Sequence, residues 1–310
     1  LELLPVIKGL ATWIPFAYDA RRGVTGGTSN ARYCYSVWLR HLVALRDAGV
    51  VRRFASIAEL GPGDSLGIGL AAMLCGADRL QALDVVPYAN AEVNIGVLAQ
   101  LAELLRRQVP IPGDDEFPGV VPRLPDYRFP RGILGDVPTD ESGLADRLGL
   151  IEKALHAEPS SLTVTYRVPW NSTTLTIDEP VDLLYSQAVL EHVNEPEAAY
   201  QAMARWVVPG GAMSHVIDLR SHRLTPGWDG HLQYSSTVWR LVKGARPYLL
   251  NRQSATQHRQ WLEASGFRVI REARVHLAPT VASRDLAAPY RHWSEEDRRT
   301  ASVHFVAVRN

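Results

Sequence analysis

The stretch "IAELGPGDSLGIGLAAMLCGADRLQALDVV", residues 57 to 86, decides the fold. A short apolar run enters a glycine cluster, a helix-like segment follows, and a second apolar run ends on Asp84. Glu59, Gly61, Gly63 and Gly67 give the pattern E-x-G-x-G-x-x-x-G after the first run. Gly61 and Gly63, with Pro62 between them, let the chain turn sharply and lay its backbone against a ligand. Gly67 is expected to let the helix pack on the strand. Asp84 stands about as far onward as the acidic residue that meets ribose hydroxyls in dinucleotide folds.

Working outward, apolar runs alternate with helical patterns. Strands are expected at Phe54–Leu60, Leu80–Val85, Leu162–Tyr166, Val181–Ser186, Ala212–Leu219, Phe267–Ala273 and Ser302–Val308. Helices are expected at Ser29–Val50, Leu66–Cys75, Ala89–Gln108, Gly143–His156, Glu195–Val207 (stopped by "VPGG") and Ser254–Ser265. Such alternation argues for an α/β chain, a mostly parallel sheet with helices on both faces. Two segments interrupt it. Residues 110–130, "PIPGDDEFPGVVPRLPDYRFP", form a proline-rich loop of a kind that is often functional, and residues 221–251 are a second insertion. The division expected is an N-terminal helical cap over 1–52 and one domain over 53–310, with insertions near 109–160 and 221–251.

Composition narrows the class. The 310 residues carry 33 basic and 33 acidic side chains, so a polyanionic partner is not indicated. Cys34 and Cys75 match no metal spacing, and a reducing cytoplasm is the expected setting. No apolar run reaches membrane-span length and no signal-peptide pattern is visible. Pro5 and Pro15 argue against a clean amphipathic helix at the start.

A dinucleotide fold favours G-x-G-x-x-G/A. Counted from Gly61, its third position here is Leu66, and Gly67 comes one residue later. That spacing, with Glu59 before the turn, resembles the class I S-adenosylmethionine-dependent methyltransferases. "VDLLYSQAVLEHV" (residues 181–193) resembles their fourth strand and its turn. "MARWVVPGGAMSHVID" (203–218) resembles their next helix, turn and fifth strand, and "QHRQWLEASGFRVI" (257–270) their late helix and sixth strand. The resemblance implies a Rossmann-like seven-stranded sheet with an antiparallel last strand, which "SVHFVAV" (302–308) fits. It implies S-adenosylmethionine as cofactor and S-adenosylhomocysteine as product. Glu59 and the Gly61–Gly63 backbone would face the methionine part, Asp84 the ribose and Val85 or Val86 the adenine. Ser186 and Gln187 would lie beneath the sulfonium. Asp136, or the backbone at Val168 and Pro169, would approach the adenine. Arg32 and Tyr33, in the segment before the resemblance begins, could reach the cofactor carboxylate.

Methyl transfer needs an aligned acceptor and, for a hydroxyl, a base, for which histidine is the natural side chain. His192 follows the fourth strand at its carboxyl end, where α/β sheets bind ligands. Asp218, Arg220 and His222 lie at or past the end of the fifth strand, with His231 further on. His215, inside that strand, reads as a core histidine. His222, His231 and Asp218 match no strong metal motif, and no metal is assigned. Trp228, Tyr234 and neighbouring arginines of the second insertion suit a sugar or aromatic acceptor, or else an ordinary helix whose aromatics are core. The favoured reading is O-methylation of a small molecule, a sugar, glycan or secondary metabolite. An RNA or protein methyltransferase would prefer a basic groove, and a cofactor-binding regulator would not consume cofactor. No nucleic-acid partner is expected, and a homodimer is compatible with the chain.

Overall fold

The computed structural model describes residues 2–14, 26–134, 141–170, 177, 179–246 and 248–310. The elements are α1 (Leu4–Ala11), α2 (Ala31–Asp47), β1 (Ser56–Leu60), α3 (Gly67–Leu74), β2 (Arg79–Leu83), α4 (Ala91–Arg106), α5 (Arg131–Leu134), α6 (Glu141–Leu155) and β3 (Thr163–Arg167). They continue with β4 (Val181–Gln187), α7 (Pro196–Trp206), β5 (Val207–Asp218), α8 (Ser236–Lys243), α9 (Ala255–Ala264), β6 (Phe267–His276), α10 (Glu295–Arg299) and β7 (Thr300–Arg309). Asn30 fixes the start of α2, its side chain accepting from the N–H groups of Arg32 and Tyr33.

The strands form one seven-stranded sheet in the order β3-β2-β1-β4-β5-β7-β6. β7 runs antiparallel to both β5 and β6, and the other pairings are parallel. Successive strand residues alternate between two cores. Ile57, Leu80, Leu183 and Tyr185 face the layer of α2, α3, α4 and α6. Ala58, Leu184, Met213 and Phe305 face the layer of α7 and α9. The chain reverses its strand order between β1 and β4, which opens a crevice at their carboxyl ends.

Two local expectations change. α1 is a helix after all: its proline lies in the first turn, where a missing N–H leaves no bond unmade. "VPGG" belongs to strand β5 rather than to a helix stop. Val207 already pairs with Val181, and the register then shifts, with Gly210 at φ +72° in the bulge.

The proline-rich loop is wound around one buried cation. The Arg40 guanidinium of α2 donates to the carbonyls of Pro112, Val120 and Pro122, to Ser36 Oγ and to Asp114. Tyr127 covers it at 4.9 Å. These bonds satisfy backbone groups that a loop without secondary structure would leave unpaired. The second insertion is largely core. Tyr234, Trp239, Val242 and Leu250 pack together with Val6 of α1.

Candidate active site

The glycine turn leaves β1 with Gly61 at φ +64° and Gly63 at φ +74°, a region that favours glycine. Gly61 N–H donates to Leu83 O at 2.8 Å, and Gly63 N–H donates to Asp84 Oδ2 at 3.2 Å. Asp84 is 5% exposed, and its Oδ1 accepts from Val85 N–H at 2.7 Å. Burial raises its pKa against these bonds.

The N-terminus of α3 is already satisfied by the protein. Leu66 N–H donates to Asn94 Oδ1 at 2.9 Å, Gly67 N–H to Ser65 Oγ at 3.0 Å and Gly69 N–H to Glu59 Oε2 at 3.0 Å. A pyrophosphate-binding turn points such donors at the ligand. Here they are spent on side chains, so the turn is not shaped for a dinucleotide.

A cavity of about 930 Å³ runs over the carboxyl ends of β1, β2, β4 and β5. Gly61, Pro62, Gly63, Asp84 and Val85 line one part of it, and Tyr33 reaches it from α2. Tyr33 stacks edge-on against Phe117 of the proline-rich loop, which adds Gly119 and Val120 to the wall. His192, Asp218, Arg220 and His222 line another part. Asp218 and Arg220 form a two-pronged pair at 2.8 and 2.6 Å. His222 Nε2 lies 3.5 Å from Asp218 Oδ2. The His192 and His222 rings meet edge to face at 4.9 Å. Burial, followed by the neighbouring His222, pushes the His192 pKa down to about 4, so the ring is neutral near pH 7.

Gln187 lies on the cavity floor, held from beneath. Its Oε1 accepts from His41 Nε2 at 3.1 Å, and Ser214 Oγ bridges His41 Nδ1 at 2.7 Å and His304 Nε2 at 2.9 Å. Asn251 pins the turn that carries His192, donating through Nδ2 to Leu190 O at 2.7 Å and Val193 O at 3.0 Å.

Other expected residues lie elsewhere. Glu59 does not line the cavity; it is buried behind the turn, where Tyr185 O–H donates to it at 3.0 Å, and burial pushes its pKa up to about 8. Gly67 packs on neighbouring helices, since a Cβ there would stand 2.5 Å from Cys34 Sγ and 2.8 Å from Val97 Cγ1. The close approach to the sheet is made by Gly69 instead, against Leu80 and Glu59. Ser186 is buried on His215 Nδ1 at 2.8 Å, so His215 is indeed a core histidine. Arg32 turns away to pair with Glu116 at 2.7 and 2.6 Å. Trp228 donates to Ala278 O, Tyr234 O–H to Glu2 O, and His231 is buried beside Trp239, all outside the main cavity. Tyr234 belongs to the insertion's own core and His231 is buried against it, while Trp228 stays partly exposed. Asp136 lies outside the described residues.

Tyr248, one of the second insertion's aromatics considered for an acceptor, does line the cavity, whereas Tyr88 and Trp170 were not singled out from sequence. Tyr88 and Tyr248 meet hydroxyl to hydroxyl at 2.5 Å at the cavity wall. Trp170, which follows the "VP" considered for adenine, lines the cavity and donates its N–H to Asp84 O at 2.9 Å. The sequence pattern assigns Glu191 no role. It is 1% exposed, and among the described residues neither side-chain oxygen has a hydrogen-bond partner.

A family model described as "Methyltransferase domain" matches residues 151–214, the segment from α6 into β5. No curated protein matches the chain in sequence. Among solved structures, the chain is similar to an S-adenosylmethionine-dependent methyltransferase from Mesorhizobium loti at 15% identity, TM-score 0.42, covering 86% of this chain and 96% of that one. It is also similar to a methyltransferase of the same cofactor class from Methanosarcina mazei at 11% identity, TM-score 0.44, covering 86% and 96%. No helix among the described residues is long and apolar enough to cross a membrane. The strand order β3-β2-β1-β4-β5-β7-β6 with antiparallel β7 is a Rossmann-like sheet, and the segment from α6 into β5 within it matches the methyltransferase-domain model.

Proposed function

We propose that the chain binds S-adenosylmethionine and methylates an oxygen atom of a small molecule. The observation that carries this reading is the continuity of one cavity from Asp84 and the glycine turn to the wall of His192, His222, Asp218 and Arg220. At about 930 Å³ the cavity is near the upper end of small-molecule sites, which leaves space for an acceptor beside the cofactor. The residues present fit the cofactor: a buried carboxylate for the ribose, glycine backbone beside it, and α3 donors withheld from phosphate. Bound there, the cofactor supplies an electrophilic methyl group.

The chain's own residues then do three things. Asp84 and the Gly61–Gly63 backbone hold the nucleoside and methionine ends, with Val85 and Trp170 as apolar faces. Gln187, fixed by His41, sets the floor at the end of β4. His192, neutral and lining the cavity, takes the acceptor's hydroxyl proton on Nε2, and the nearby Asp218 charge favours the resulting cation. Tyr88, Tyr248, Trp170 and Val120 favour an acceptor with an apolar or aromatic body.

The test is transfer of labelled methyl from S-adenosylmethionine to a panel of phenols and sugars. A methyl ether formed with one equivalent of S-adenosylhomocysteine is expected. Cofactor binding without transfer to any acceptor of either class would contradict the reading.

A further inference from the structure

We propose that Glu191, His192 and His222 form a binding site for one first-row divalent transition-metal ion at the cavity wall. Three observations lead there. Each of these side chains offers a ligand atom, and the three atoms lie within 4.8 Å of one another. Glu191 Oε1 stands 3.8 Å from His222 Nε2 and 4.0 Å from His192 Nε2. Tetrahedral nitrogen and oxygen ligands about 2.0–2.2 Å from an ion are themselves separated by roughly 3.3 Å, so small rotations close the set.

The second observation is the state of Glu191. Its carboxyl group is 1% exposed, Oε1 faces both imidazoles, and among the described residues neither oxygen has a hydrogen-bond partner. A buried carboxyl group without partners is costly, and a cation between it and the imidazoles removes that cost. The third is rigidity. Asn251 holds the turn that carries Glu191 and His192, through Leu190 O, Val193 O and its own N–H to Glu191 O at 2.7 Å. The site is therefore held in shape by the backbone that presents it.

Two imidazoles and one carboxylate suit zinc, cobalt, nickel or iron, whereas magnesium prefers an all-oxygen shell. Asp218, tied to Arg220, adds negative charge 3.5 Å from His222 Nε2. His192 and His222 line the main cavity, so open coordination positions would face an acceptor. The part this ion plays in methyl transfer rests only on the cofactor binding proposed above: with an ion on Nε2, His192 is a ligand and not a base, and the ion would itself hold the acceptor oxygen and lower its proton affinity. Ion binding itself does not depend on that reading.

The experiment is titration of the full chain, stripped with a chelator, with Co²⁺, Zn²⁺ and Mg²⁺ in turn. One Co²⁺ per chain is expected, with a visible ligand-field band that Zn²⁺ displaces and Mg²⁺ does not. Glu191→Gln and His192→Ala should each weaken Co²⁺ by more than about a hundredfold. His276→Gln, which removes an exposed imidazole far along β6, should leave it unchanged. S-adenosylmethionine titration of the same variants reports whether they are folded. Failure to bind Co²⁺ stoichiometrically, or equal binding by wild type and a folded Glu191→Gln, would overturn the site. Cofactor binding without Co²⁺ binding condemns the metal site alone. Co²⁺ binding without cofactor binding condemns the proposed function and leaves the metal site standing.

Discussion

Gly63 N–H donates to Asp84 Oδ2 at 3.2 Å, tying the glycine turn after β1 to the acidic end of β2. The two features that stand out in sequence are thus one unit in space. Asp84→Ala removes both the turn's acceptor and the carboxylate offered to the ribose. A charge-assisted hydrogen bond contributes about 1.5–3 kcal/mol, so cofactor affinity should fall by at least about tenfold. Calorimetric titration of the variant checks this, with its melting temperature showing whether the fold survives.

His192→Ala should act on turnover and spare the cofactor. The ring lines the cavity on the turn held by Asn251, apart from the Asp84 end. Loss of a positioned base costs about 10²–10⁴ in rate. Single-turnover rates with saturating cofactor measure it. A variant that turns over at the wild-type rate would move the acceptor-activating group elsewhere.

Two helix glycines should respond in opposite directions to alanine. Gly96 in α4 has nothing within 4 Å of its ideal Cβ, so Gly96→Ala should stabilise by about 0.5–1 kcal/mol. Gly67 has Cys34 Sγ at 2.5 Å and Val97 Cγ1 at 2.8 Å from that position. Gly67→Ala should therefore destabilise, by roughly 1–3 kcal/mol from overpacking. Urea midpoints of both variants check the contrast.

Acid should unfold the chain through its buried histidines. Burial lowers His41 from 6.5 to about 4, and His215 and His258 from 6.5 to about 3. The unfolded chain binds more protons across that interval, so their stabilisation is complete above pH 6.5 and is lost as pH falls toward 3–4. Glu59 opposes them: raised from 4.5 to about 8, it favours the folded state at low pH and that gain fades as pH rises. Three imidazoles outweigh one carboxyl group. Urea midpoints should fall from about pH 7 to about pH 5, and the fall should steepen in Glu59→Gln.

Arg40→Met should loosen the proline-rich loop. The substitution leaves Asp114 and the carbonyls of Pro112, Val120 and Pro122 without their shared donor. Asp114 is 37% exposed, so the cost falls on the buried carbonyls left unpaired, about 1–3 kcal/mol each. Limited proteolysis should cut between residues 110 and 130 faster than in wild type.

The fold was legible because its signals are local. The glycine turn, the acidic strand end and the alternation of strands with helices each lie within a few consecutive residues. The helix–strand boundary at Val207 was misplaced because "VPGG" carries loop chemistry while pairing with β4 keeps it extended. The cavity wall was legible mainly at strand ends and the turns just past them, as at Asp84, Gln187, His192 and Asp218. Arg32 was misread because its partner Glu116 lies in the distant loop. Trp228, Tyr234 and His231 were left open because composition does not distinguish an aromatic that lines a cavity from one that closes a core. Glu191 shows the converse. Its burial and its two imidazole neighbours arise from the meeting of the β4 and β5 turns, which the sequence pattern does not record.

The most direct test of the central claim is calorimetric titration of the purified chain with S-adenosylmethionine and, separately, with NAD. The Asp84 carboxylate and the occupied donors of α3 predict micromolar binding of the first and none of the second. Binding of NAD, or no S-adenosylmethionine binding by the folded chain, would contradict the account.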